Sequence, residues 1–137
     1  MMKRLTLILS LVFTVNLSSP SYAEWVKVAE NVDGSTYYVD FERIRKVDGY
    51  VYYWVLSDFL KPNDWGNLSS KIQKQGDCKL FRFKKLSASF HTQPMGGGTG
   101  ESYSPKNPEW KYPPPNTGGD VILKKVCTQS SSVTQSL

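Results

Sequence analysis

Few residues in this chain have the types and spacing that chemistry needs. His91 is the sole histidine, and at the end of a strand-like run it reads as a surface residue rather than a base or ligand. A metal site needs three or four convergent donors. The remaining candidates are carboxylates, and Asp33, Asp40, Asp48 and Asp64 all stand beside turn signals, where aspartate usually bonds the backbone. The run Pro94 to Gly100, PMGGGTG, is glycine-rich but lacks the Gly-Lys-Ser/Thr end and the following helix start of a phosphate cradle. Asn67-Leu68-Ser69 matches a glycosylation sequon, a short pattern that often occurs by chance. Lys79, Arg82, Lys84 and Lys85 form the densest basic cluster, either a patch for an anionic partner or a solvated strand face. With no base and nucleophile pair, no cofactor motif and no metal set, an enzyme ranks behind a binding protein.

The two cysteines, Cys78 and Cys127, are read through their compartment. Met1 to Arg4 is a short positive start, Leu5 to Leu17 an apolar core, and Ser21 and Ala23 are small residues at cleavage positions. Residues 1–23 are therefore expected to be a secretory signal cut after Ala23. A membrane span needs about 20 apolar residues, and this run ends sooner, in Ser-Ser-Pro. No cysteine stands at the cut, so an exported protein, periplasmic or secreted and not lipid-anchored, is expected. In an oxidising compartment the two cysteines read as one disulfide, with free thiols as the alternative.

Charge narrows the partners. Seventeen Lys and Arg against twelve Asp and Glu give +5, and loss of Lys3 and Arg4 leaves about +3, too little to argue for nucleic acid.

The elements that must position these residues centre on Tyr50 to Leu60, YVYYWVLSDFL. It reads as a central strand with Tyr52, Trp54 and Leu56 on one face and Val51, Tyr53, Val55 and Phe59 on the other. Both faces want cover. Before it come strands at Glu24 to Glu30 and Thr36 to Val39, a turn through Phe41 to Arg43 capped by Asp40, and a hairpin at Asp48-Gly49. After it, the mostly polar Ser69 to Gln75 reads as an edge strand guarded by lysines. Cys78 to His91 changes phase between Phe81 and Phe83 and the set Leu86, Ala88 and Phe90. Either a bulge near Lys84-Lys85 brings both sets to one core, or the halves face different layers. Gln93 to Pro115 is a Gly- and Pro-rich loop with a short strand near Glu101 to Ser104. Thr117 to Cys127 is a helix, with Thr117 and Asp120 as a capping box and Ile122, Leu123, Val126 and Cys127 as one apolar stripe. Residues 24–127 form the domain, and 128–137 read as a disordered tail. The fold class is α+β, mainly β: an antiparallel sheet of about six strands with one C-terminal helix on one face. One helix covers one face, so Tyr52 and Trp54, or Tyr53, are left as a protein-binding or homodimer surface; parity alone does not say which set.

In order and spacing, Trp25-Val26-Lys27, Tyr37-Tyr38-Val39-Asp40, Ile44, Trp54-Val55-Leu56-Ser57-Asp58, Leu68-Ser69-Ser70-Lys71, Asp77-Cys78, Pro94-Met95-Gly96 and Lys124-Lys125-Val126-Cys127 resemble the surface-adhesin protein E-like family of exported bacterial proteins. The resemblance implies a curved antiparallel sheet whose C-terminal helix is held on the concave side by the disulfide. For the founding adhesin it implies binding of host extracellular-matrix and plasma proteins. That adhesin is a lipoprotein, whereas this signal ends in Ser-Tyr-Ala. The expected function is an exported, non-enzymatic protein-binding module, with a periplasmic accessory or inhibitor of another envelope protein as the alternative.

Overall fold

The computed structural model describes residues 23–135; the expected signal segment, except for its last residue Ala23, lies outside them. Strand β1 (Val26–Glu30) and strand β2 (Thr36–Val39) form an antiparallel hairpin. Its turn is held by Gly34 N–H donating to Asn31 O at 3.0 Å and Ser35 N–H to Asp33 Oδ1 at 3.0 Å. Gly34 takes φ +89° there, which a side chain would resist. The ladder slips between Lys27 and Ala29, and the extra residue, Val28, is buried in the core.

Asp40 then starts a 3-10 turn at Phe41–Arg43, but not in the way expected. Its side chain makes no cap hydrogen bond. The carboxylate is buried, and the Arg43 Nε lies 3.2 Å away as an ionic contact outside hydrogen-bond geometry. The turn lets the chain reach β3 (Arg45–Val47), which pairs with Tyr50 to Tyr52, while β2 pairs with Val55 to Asp58 of the same strand. Two short strands thus lie end to end along one edge of β4 (Tyr50–Asp58). Asp48 and Gly49, at φ +53° and +83°, make the tight hairpin that Asp-Gly promises.

Beyond β4 the order is β5 (Ser69–Asp77), β6 (Arg82–His91) and β7 (Gly100–Tyr103). The sheet is antiparallel throughout. Strand β5 is not an edge strand: it pairs along its whole length with β4 on one side and β6 on the other. Lys71 and Gln73 lie half-buried on the face away from α1, where a sheet covered on one side tolerates polar residues, whereas Ser70 and Lys74 are buried on the helix side. On that side Gly76 makes room for the helix. Along β6, Gln73 pairs with Ser87 and Lys74 with Lys85, so Leu86 is the extra residue of a bulge. Phe83, Ala88 and Phe90 consequently share one face, with Phe83 and Ala88 buried. The turn before β6 is closed by Asp77, whose Oδ1 accepts Leu80 N–H and whose Oδ2 accepts Arg82 Nε–H at 3.0 Å. Burial pushes the Asp77 carboxyl up, but those donors together hold it below the usual carboxylate range.

Helix α1 (Gly118–Gln135) covers the face of Val51, Tyr53 and Val55. Ile122, Leu123 and Val126 are almost fully buried against these residues, Val28 and Val39, each contributing about 1.5–3 kcal/mol. The capping box forms in one leg, Asp120 N–H donating to Thr117 Oγ1 at 3.3 Å. The other leg shifts by a residue, so that Asp120 Oδ2 accepts Asn116 N–H. The Cys78–Cys127 disulfide, with Cα atoms 5.7 Å apart, ties α1 to the β5–β6 turn. The helix does not stop there. The segment 128–135, expected to be a tail without structure, is helical, because no Gly or Pro follows Cys127 to end an established helix. Thr128 Oγ1–H donates to Lys124 O within this extension.

Candidate functional site on the open sheet face

Alternation along β4 sends Tyr50, Tyr52, Trp54, Leu56 and Asp58 to the side away from α1. The ladder then sets their neighbours. Tyr52 stands between Arg45 of β3 and Gln75 of β5, with Lys84 of β6 next in the row. The Arg45 guanidinium lies 5.8 Å from the Tyr52 ring centroid. Trp54 is opposite Gln73 and then Ser87, and Tyr50 opposite Asp77 and then Arg82.

Both ends of this strip are closed by the long loop. Near Tyr50, Lys111 pairs with Phe83 through two backbone hydrogen bonds of 2.7 and 2.9 Å. That pairing brings Trp110 onto Tyr50, with ring centroids 5.7 Å apart. The Trp110 ring also meets Arg82 at 4.2 Å and Lys84 at 4.5 Å. At the other end a 3-10 turn, Pro94–Gly96, packs against β4 and β5. Met95 N–H donates to Asp58 Oδ1 and Gly96 N–H to Ser69 Oγ, each at 2.8 Å. Leu56 is fully buried. Between the closures Tyr52 and Trp54 remain half-buried, flanked by Arg45 and Lys84.

The expected site residues are therefore sorted by the pleat. Tyr52 and Trp54 share the open face. Tyr53 is 1% exposed beneath α1, and burial pushes its hydroxyl pKa well up. The basic cluster is not one patch. Arg82 and Lys84 lie against Trp110, Lys79 is exposed in the β5–β6 turn, and Lys85 pairs with Lys74 on the helix side. Sequence reasoning missed Arg45, Lys74 and Trp110. The alternation Glu109-Trp110-Lys111-Tyr112 between prolines was the available signal that a short pairing segment interrupts the loop.

The remaining candidate chemistry is occupied by structure. Two backbone amides of the glycine-rich run, Met95 and Gly96, are committed to Asp58 and Ser69. Ser69 of the sequon is buried, and its hydroxyl donates to Gln93 O at 2.6 Å. One nucleophile and base pair does form: Ser89 Oγ lies 2.8 Å from His91 Nε2. The buried Nδ1 has no partner in hydrogen-bond geometry, so no carboxylate orients the ring as such a pair requires. Burial and then the Lys71 charge lower the His91 pKa, against a smaller opposing contribution from the Gly98 backbone. Among the described residues no group of three His, Cys, Asp or Glu could hold a metal ion, and no helix is long and apolar enough to cross a membrane.

The family model for surface-adhesin protein E matches residues 25–128. The chain belongs to the surface-adhesin protein E family. Crystal form II of Haemophilus influenzae protein E resembles it with a TM-score of 0.60 at 17% identity, over 84% of this chain and 97% of that one. Another structure of Haemophilus influenzae protein E gives 0.57 at 16% identity, over 85% and 94%. At such identities the likeness to protein E shows the shared fold. No curated protein matches the sequence significantly.

Proposed function

We propose that this member of the family is an exported, non-enzymatic binding module of the surface-adhesin kind, which takes a protein partner on the face that α1 leaves open. The observation that carries the reading is the pair Tyr52 and Trp54, half-buried between the Trp110 and Pro94–Gly96 closures and flanked by Arg45 and Lys84. Aromatic side chains give large contact area while keeping a polar tip for water, and they dominate binding energy at interfaces. Arg45, Arg82 and Lys84 bias the face toward a partner whose contact surface is acidic. Asp77, on the same face, is already engaged by Arg82 at 3.0 Å. Membership of a family named for surface adhesion supports a host extracellular-matrix protein as that partner.

The test uses the chain from Glu24 onward, with its disulfide formed, against separate surfaces of host matrix proteins and of cell-envelope extract. Tyr52→Ser, Trp54→Ala and Arg45→Glu should each weaken capture by matrix protein roughly ten-fold or more while circular dichroism stays unchanged. Capture only from envelope extract would favour the periplasmic accessory reading. A self-associating wild type, made monomeric by Tyr52→Ser in sedimentation equilibrium, would assign the face to a homodimer. If no variant alters capture or association, the open face is not the site.

A further inference from the structure

The helix side of the sheet carries a second constellation, independent of the open face. Lys74 and Lys85 are direct cross-strand partners on β5 and β6, so their side chains leave the same face next to each other. Phe83, two residues before Lys85 on that face, pairs with Lys111. The Lys74 ammonium reaches over the Phe83 ring, 4.4 Å from its centroid, and Lys74 is only 8% exposed. The start of α1 arrives at the same ring: a Cβ on Gly119 would stand 3.6 Å from Phe83 Cε1, which brings the positive end of the helix dipole to the cluster.

Among the described residues none of the four ion pairs involves Lys74, Lys85 or Lys111. The three are close enough to act on one another. Burial first, then the charges of Lys85 and Lys111, bring the Lys74 pKa down to about 8. Burial and the Lys111 charge also lower that of Lys85. Like charges on opposed strands repel, and a largely buried ammonium either gives up its proton more readily, as the lowered Lys74 pKa records, or is stabilised by a counter-charge. The Phe83 ring supplies a partial one. An anion seated among the three ammonium groups would supply the rest. Each lysine is a single-point donor rather than a planar fork, which suits a tetrahedral oxyanion with an oxygen for each donor better than a lone carboxylate.

We propose that Lys74, Lys85 and Lys111, gathered around Phe83 at the start of α1, form a binding site for a tetrahedral phosphate or sulfate oxyanion, free or esterified. The free anion and a sulfated polymer share that chemistry, and two probes separate them: inorganic phosphate, and a heparin-derived tetrasaccharide.

Titration calorimetry of the disulfide-bonded chain from Glu24 onward, at constant ionic strength and pH 7, should give saturable binding of at least one probe. Lys85→Gln and Lys111→Gln, whose side chains are not in the core, should each weaken it roughly ten-fold, the usual loss for one charge-assisted hydrogen bond. Tyr52→Ser, on the opposite face, should leave it unchanged. That control separates this site from the protein-binding reading. Binding of phosphate identifies the free anion, and binding of the tetrasaccharide alone identifies a sulfated polymer. Absence of saturable binding by both probes, or equal affinity in the lysine variants and the wild type, overturns the proposal.

Discussion

Gly76 of β5 lies beneath Leu123 of α1 so closely that a Cβ on the glycine would stand 3.0 Å from Leu123 Cδ1, 2.9 Å from Val51 Cγ2 and 3.2 Å from Tyr53 Cε1. The missing side chain is the seat of the helix. Gly76→Ala should therefore lower stability by about 1–3 kcal/mol through overpacking, measured as a fall in the urea midpoint. An unchanged midpoint would mean that α1 sits less tightly on β5 than these distances require.

Cys78 and Cys127 are separated by 49 positions in the chain, and a loop of that size contributes about 4 kcal/mol in the chain-entropy account of cross-linking. The double variant Cys78→Ser/Cys127→Ser, which leaves no odd thiol, should lose roughly 2–5 kcal/mol in equilibrium unfolding. Equal midpoints for the variant and the oxidised wild type would contradict a stabilising role.

Lys74 makes stability rise with alkaline pH. Its folded pKa of about 8 lies below the ordinary 10.5, so between those values the unfolded chain holds a proton that the native one has released, and stability increases as pH rises. The window is worth on the order of 3 kcal/mol. Lys85 on β6 and Lys111 beyond β7 press on the same group, and Tyr53, directly opposite on β4, has its pKa raised. Tyr53 stabilises fully below pH 10 and loses that contribution above it, so the comparison belongs between pH 7.5 and 9.5. Urea unfolding should show the wild type gaining on Lys74→Met across this range; parallel profiles would refute the assignment.

Tyr52 and Tyr53 are neighbours in sequence with opposite consequences. Tyr53→Ser removes a ring that is 1% exposed in the core and should destabilise by about 3–5 kcal/mol. Tyr52→Ser, on the open face, should cost about 1 kcal/mol or less. Urea midpoints compare the two directly, and similar losses would show that the open face is packed like the core.

Local chemistry made much of this architecture legible. Asp48-Gly49 specified a hairpin because few residues accept positive φ at both central positions. The phase change between Phe83 and Ala88 left a bulge or a change of layer as the two readings, and the register shows the bulge, with Leu86 as its extra residue. The stripe Ile122, Leu123 and Val126 marked the buried side of the only long helix among the described residues. What sequence could not assign depended on which strand lies beside which. Lysine in Ser69 to Gln75 looked like edge protection, since composition does not reveal that β4 and β6 flank β5 from both sides. Lys79, Arg82, Lys84 and Lys85 were close in sequence, yet the pleat sends Lys84 and Lys85 to opposite faces. Lys74 and Lys111 came together with Lys85 only through pairing across three separate segments. Period and turn chemistry are short-range properties that the chain carries with it, whereas the choice of covered face and the company each charge keeps arise from contacts between distant segments.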